Sequence, residues 1–236
     1  MSIERLFSSK AIQGLIKVWP EIPFAIWETL YMTITATFFA VLLGLPLGIL
    51  LVVGEKNGIL PLPRTLMRVL NTIINILRSI PFLILMILVF PLSRLIVGTT
   101  VGTTATIVPL VVAAFPFVAR LVESTVREMD PGVIEAAQSM GARPFQIIWK
   151  VIIPESFPGL VSQITTAMTT ILSFGAMSGI IGGGGLGKIA INYGYYRYQL
   201  LVMLVTVVLL VVLVMVLQTI GSSIAKRSDK QQTDQT

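Results

Sequence analysis

Residues 200–217 form an unbroken run of 18 residues in which only Thr206 is polar. A run of that length and composition crosses a hydrocarbon core of roughly 30 Å as a helix. The rest of the chain agrees with it: of 236 residues, 55% are hydrophobic and 12% are charged, where a soluble domain usually carries about 25% charged residues. The chain therefore reads as an integral membrane protein.

The sequence contains no cysteine and no histidine, which removes disulfide frameworks, Cys/His zinc sites, thiol nucleophiles and histidine bases together. No metal or cofactor site is expected. The formal charge of +6 does not point to nucleic acid, because the basic residues sit at the ends of apolar blocks and are better explained by membrane orientation. Arg5 and Lys10 precede no small-residue cleavage site, so no removable signal peptide is expected.

Ile3, Leu6, Phe7, Ile12, Leu15, Ile16 and Trp19 recur at helical spacing among Arg5, Lys10 and Lys17. They predict an amphipathic interfacial helix within an N-terminal segment, residues 1–24. A transmembrane domain over 25–222 follows, with spans expected near 28–53, 71–95, 104–122, 158–181 and 199–221. Residues 223–236 are polar, lack aromatics and are expected to be disordered.

Between spans three and four, residues 128–155 are too polar to span and too patterned for a slack loop. Asp130 can cap a first short helix with Pro131 at its first position, and Gly141 can close it in the left-handed conformation. Pro144 can open a second helix, with Phe145, Ile148 and Trp149 as an apolar face, and Pro154 is expected to end it. Small Ala136, Ala137 and Ala142 beside Gly141 leave a surface that a partner can approach closely. The bland alternative is a loop that merely joins two spans.

Glu135, Ala136, Ala137, Gly141, then Val151 and Ile153-Pro154 resemble the EAA loop of ABC importer permeases. Val151 and Ile153 stand where that pattern usually has Ile and Leu. The resemblance implies that the segment docks as a coupling helix on a separate ATP-binding subunit. A narrower resemblance, to the MetI-like group of methionine-importer permeases, covers residues 27–217. It rests on Trp27-Glu28-Thr29-Leu30, on residues 75–82 (Asn-Ile-Leu-Arg-Ser-Ile-Pro-Phe), on Ile107-Val108-Pro109-Leu110, on residues 114–120, and on the glycines of 183–187 with Tyr193-Gly194-Tyr195.

The group implies an all-α membrane protein of the ABC importer type I permease fold, with five transmembrane helices behind the interfacial helix. It also implies a homodimer in a bacterial inner membrane, two ATPase subunits holding ATP and Mg on the cytoplasmic face, and an external solute-binding lipoprotein. The chain itself would be no enzyme. The substrate, methionine (D or L) or a related amino acid, follows from the resemblance alone. Lysine and arginine counting supports an external N-terminus and a cytoplasmic C-terminus: with 110–150 inside, Lys56, Arg64, Arg68, Arg120, Arg127, Arg143, Lys150, Lys226, Arg227 and Lys230 are internal, against Arg5, Lys10, Lys17, Arg94, Lys188 and Arg197 outside.

Residues 182–189 come within one position of a phosphate-binding loop, but Ile189 stands where the Mg²⁺-binding Ser or Thr is needed. A flexible or close-packed external turn that could meet a solute-binding protein is the better reading. Ser162, Thr165, Thr166, Thr169, Thr170 and Ser173 fall on one helical face, which either lines a water-filled path or bonds to a neighbouring helix. Thr166, Thr170 and Ser173 are the candidate pore residues, and Met177, one turn on, is a candidate gate. Arg78 should face protein, water or the interface, with Glu28 as a conceivable partner, and Gly44 and Gly48 suit close helix contact. A secondary transporter would place carboxylates at mid-span, and every Asp and Glu here lies in a loop, a tail or near a span end.

Overall fold

The computed structural model describes residues 9–228. The expectations placed on Ile3, Arg5, Leu6, Phe7 and Lys230 lie outside the described residues. Every regular element described is helical: α1 (Ser9–Val18), α2 (Ile22–Val53), α3 (Arg64–Ser79), α4 (Phe82–Val97), α5 (Thr103–Arg127), α6 (Pro131–Ser139), α7 (Pro144–Ile147), α8 (Ile153–Ser178), α9 (Gly185–Ile189) and α10 (Leu200–Ser228). Four stretches are long and apolar enough to cross a membrane, and the pair α3 and α4 makes a fifth when taken as one broken span.

The span expected near 71–95 is thus broken in two. Ile80 and Pro81 are both extended, with ψ of 126° and 136°. Proline disfavours helical backbone in the residue before it and fixes its own φ, so α3 stops at Ser79 and α4 starts afresh at Phe82. At the other end of the chain α10 runs on to Ser228, so residues 223–228 of the expected disordered tail are helical. Thr219, Ser222 and Ser223 do not interrupt it because the serine hydroxyls donate to the Thr219 carbonyl.

The helices pack as two units, one built from Met1–Phe38, Pro81–Ala113 and Met168–Leu217, the other from Phe39–Ile80, Ala114–Ala167 and Gln218–Thr236. In the first, Val18, Ile22, Ala25, Leu186, Ile189 and Val202 form a buried cluster, and the rings of Phe82 and Phe174 stack with centroids 4.4 Å apart. Helix α1 contributes Val18 to this core and leaves Ile12 and Ile16 exposed, with Trp19 exposed just beyond its end, the two-sided pattern of an amphipathic helix.

In the second unit Leu51, Ile74 and Ala119 bring α2, α3 and α5 together. The approach of α2 to α5 depends on two missing side chains. A Cβ on Gly44 would lie 2.8 Å from the Phe115 carbonyl oxygen, and one on Gly48 only 2.5 Å from that of Ala119. Gly48→Ala should therefore force the helices apart at about 1–3 kcal/mol, lowering the thermal unfolding midpoint of the purified protein in detergent. Gly175→Ala, where nothing lies within 4 Å, should be neutral or stabilising by up to about 1 kcal/mol. Equal effects at the two positions would rule out the close-contact account.

Candidate functional site

The segment joining α5 to α8 is built of short, capped helices. Asp130 is extended and its Oδ1 accepts from the Gly132 N–H at 2.8 Å, with Pro131 opening α6. At the far end Gly141 adopts φ +78°, its N–H donates to the Gln138 carbonyl at 2.9 Å, and that of Ala142 to Ala137 at 3.1 Å. Gly141 therefore sits in the left-handed region that glycine occupies without strain. The Arg143 N–H then donates to Gln146 Oε1 at 2.9 Å, capping α7.

Glu135, Ala136 and Gly141 are exposed, and Ala137 and Ala142 are half-buried. Around them stand large apolar side chains in the open: Met140 is 87% exposed, Phe145 and Trp149 each 68%. Ile147, two positions from each of that pair and so on the opposite face, is fully buried, so α7 and the turn after it have one buried side and one exposed apolar side. Phe145 and Trp149 were legible as an apolar face. Met140 was not, because a single methionine among polar residues has no periodicity to reveal it.

Pro154 does not end this helix. Residues Ile148–Ile152 form a π turn, in which the Ile153 N–H donates to the Ile148 carbonyl, and α8 continues from Ile153 through Pro154 and Pro158 to Ser178. Proline breaks a helix by lacking an N–H and by crowding the carbonyl four residues back. A wide turn just before it shifts the ladder, so both problems are absorbed without a stop.

Along α8, Ser162, Thr166, Ser173 and Met177 are exposed, and Thr165, Thr169 and Thr170 are half-buried. Their spacing of three and four residues keeps them on one face. The hydroxyls of Thr165, Thr166 and Ser173 donate to the carbonyls of Val161, Ser162 and Thr169 at 2.8, 3.2 and 3.2 Å. These three hydroxyls bond back within the helix, and Thr165 also packs on α10, where a Cβ on Gly221 would collide with its Oγ1, so that part of the face meets a neighbouring helix. Met177, 46% exposed, shares with Ser173, Ala176 and Ile180 the wall of an apolar cleft of about 510 Å³.

A group of polar residues that the sequence did not single out ties the second unit together. Arg120 donates to Glu123 at 2.5 Å and to the side-chain oxygens of Asn71 and Asn75 at 2.7 and 3.0 Å. Arg127 bridges Glu123 at 2.8 Å and Glu55 at 2.6 Å, and its hydrogen bonds hold the Glu55 carboxyl below the usual carboxylate range. The only trace of this in the sequence is the spacing of Arg120, Glu123 and Arg127 on one face of α5.

The glycine-rich turn is close-packed. Gly182 and Gly185 have φ of +90° and +74°, and a Cβ on Gly179 would lie 2.5 Å from the Gly187 backbone. The Gly185 N–H donates to Glu28 Oε2 at 2.9 Å and the Leu186 N–H to Thr29 Oγ1 at 2.9 Å, while the Thr103 hydroxyl donates to Glu28 Oε1. Three of the amides that would cradle a phosphate are already taken, those of Gly185 and Leu186 by side chains and that of Gly183 by the Ser178 carbonyl. Glu28 is thereby committed to the turn instead of to Arg78, which is exposed.

The family described as "Binding-protein-dependent transport system inner membrane component" matches residues 44–231. The "Probable D-methionine transport system permease protein MetI" of Vibrio cholerae is 50% identical over 206 residues, 87% of this chain and 91% of that one. The "D-methionine transport system permease protein MetI" of Escherichia coli K12 is 47% identical over 154 residues, 65% and 70% of the two chains. A chain from a structure of the "MetNI methionine ABC transporter" in inward-facing conformations superposes with a TM-score of 0.85 at 42% identity, covering 95% of this chain and 100% of that one. A chain from an amino acid ABC transporter shares the fold, with a TM-score of 0.74 at 21% identity.

The turn offers a direct test of its latch. Thr29→Val keeps the volume but leaves the buried Leu186 N–H without an acceptor, which should cost about 1–3 kcal/mol and speed hydrogen exchange at Leu186. Thr29→Ser keeps the oxygen and should stay close to the native protein. Equal exchange in the two variants would show that Thr29 does not hold the turn.

Proposed function

Because the chain belongs to the family of binding-protein-dependent transport system inner membrane components, we propose that it is the pore-forming permease of an ATP-driven importer of methionine, D or L, or of a related amino acid. Two copies form the pathway, two ATPase subunits that hold ATP and Mg bind the cytoplasmic face, and an external solute-binding lipoprotein delivers the ligand. The chain carries out no chemistry. Its N-terminus is external and its C-terminus cytoplasmic.

One observation carries the reading. The capped segment from Asp130 to Pro144 presents Glu135, Ala136 and Gly141 between exposed Met140, Phe145 and Trp149. An apolar group of this kind beside small residues marks a protein-binding surface, and it fits a rigid partner that must grip and push. Glu135, Ala136, Ala137, Gly141 and Ala142 form the coupling surface, and Pro154 lies in the helix that leads from it. Thr166, Thr170 and Ser173 line the path, and Met177 narrows it. The relatives named for D-methionine transport support the substrate.

When ATP closes the two ATPases, the coupling segments move with them. α8 starts directly after this segment and carries the polar face, so the movement reaches Thr166, Ser173 and Met177 through one helix. Single cysteines at Thr166 and Ser173 should react with small polar reagents at a rate that changes with nucleotide, unlike one at Val208. Equal protection at all three would remove the pore assignment.

Gly141 is the most sensitive position. No atom of the chain lies within 4 Å of a Cβ built there, and its φ is +78°, so valine meets only backbone strain of roughly 1–2 kcal/mol until a partner closes on it. Gly141→Val should leave the protein in the membrane and abolish methionine uptake, with Glu135→Ala giving a milder loss. The checks are uptake in cells that lack any other methionine importer, and copurification of the ATPase subunit. Normal uptake by well-expressed Gly141→Val would reduce the segment to a connecting loop, whereas uptake of a different amino acid by the native protein would overturn the substrate alone.

A further inference from the structure

Beside the glycine turn lies a cavity of about 490 Å³, within the size range of small-molecule sites. Glu21, Phe24, Ala25 and Glu28 line it from the start of α2, and Lys188, Asn192 and Arg197 from α9 and the residues that follow. Two carboxylates and two cations thus face one space, yet none of the ion pairs among the described residues joins them. Opposite charges gathered in this way without contact leave room for something between them.

The groups are committed unevenly. Both oxygens of Glu28 are taken by Gly185 and Thr103. Glu21 accepts from the Tyr193 hydroxyl at 2.8 Å through Oε1 only, which leaves Oε2 for another donor. The Arg197 guanidinium lies over the Tyr193 ring, 4.5 Å from its centre, a contact that leaves its N–H groups available in their own plane. The Lys188 ammonium is exposed and has no ion-pair partner among the described residues.

We infer that this cavity is a binding site for a small zwitterion. Lys188 and Arg197 receive the anionic end with the Asn192 amide beside them, Glu21 Oε2 receives the ammonium, and Phe24 and Ile189 cover the carbon chain between. A ligand with one charge of each sign satisfies all of these groups, whereas a simple anion or cation leaves one pair of like charges facing it. Two sources supply this chemistry. One is the free amino acid, which rests on the importer reading above. The other is the headgroup of phosphatidylethanolamine, which does not, and exposed Trp19, Trp27, Tyr195 and Tyr196 place aromatic side chains of the interfacial type on the same stretches of chain.

The chain has no native cysteine, so a single Phe24→Cys thiol at the cavity reports on its occupancy. The assembled transporter carrying it is placed in lipid nanodiscs, and its reaction with a charged thiol reagent is followed on this subunit. In phosphatidylglycerol discs, millimolar methionine should slow the reaction several-fold if the amino acid is the ligand. In phosphatidylethanolamine discs the reaction should be slow at every methionine concentration if the headgroup is. Adding Lys188→Ala and Arg197→Ala should abolish either protection, and Lys188→Arg with Arg197→Lys should retain it. Equal rates in all lipid and amino-acid conditions would overturn the site, and so would protection that survives the loss of both cations. If the native complex fails to import methionine, the importer reading falls separately and the lipid arm still decides the headgroup.

Discussion

A chain in hydrocarbon has no water to complete its hydrogen bonds, and nearly every polar choice in this structure follows from that. Thr206, the one polar residue in the most apolar run, is fully buried and its hydroxyl donates to the carbonyls of Val202 and Met203. Thr29 and Thr33 bond back in the same way at 2.8 Å. Helix α10 can therefore expose Leu204, Val208, Val211, Met215 and Val216 to lipid or to a second chain without exposing a single demanding group there. Where the backbone leaves the helix at the glycine turn, its amides are met by Glu28 and Thr29.

Glycine serves two different ends under this constraint. In α2 it lets two helices approach, which is the main route to tight packing when lipid offers no hydrophobic drive. In the turn it supplies the left-handed backbone at Gly182 and Gly185 and the near-contact of Gly179 with Gly187. A phosphate-binding loop needs the same absence of Cβ atoms, which is why the sequence of the turn imitates one. The difference lies in what accepts from the amides, and that is decided by α2, more than 150 positions away in the chain.

Legibility followed the range of the interaction. The cap at Asp130, the left-handed Gly141 and the apolar spans were readable because each is fixed by residues within a turn or two of one another. The glycine pair in α2 was readable as a motif, though not its partner helix. Glu28 was only a conceivable partner for Arg78, because charge invites a charged partner, and the Gly185 amide and the Thr103 hydroxyl take it instead. The hydrogen bonds of Arg120 to Asn71 and Asn75 join residues more than 40 positions apart and carry no local signal. Pro81 and Pro154 looked alike in sequence and behave oppositely. Extended backbone precedes Pro81, and a π turn that reroutes the ladder precedes Pro154.

That contrast bears on how movement can pass along the chain. Had Pro154 stopped its helix, the segment around Gly141 and the polar face of α8 would be joined by a non-helical link, and in the coupling role proposed above a push at Gly141 would be lost in the rotation of a few backbone torsions. With the π turn, helix runs without a stop from Pro144 to Ser178, about 50 Å at the usual rise per residue. Phe145 and Trp149 lie in its first turns, Ser173 and Met177 in its last. π turns are commonly found at functional sites, and here the turn lets a proline close to the proposed coupling surface coexist with an unbroken helix. The hydrogen bond of Ser156 to the Met129 sulfur at 2.8 Å and the close seat of Gly159 on Thr125, where a Cβ would fall 2.7 Å from the threonine methyl, hold the first turns of α8 against the end of α5. The start of α8 is thus braced against the end of α5, at the point where the proposed coupling surface leads into it.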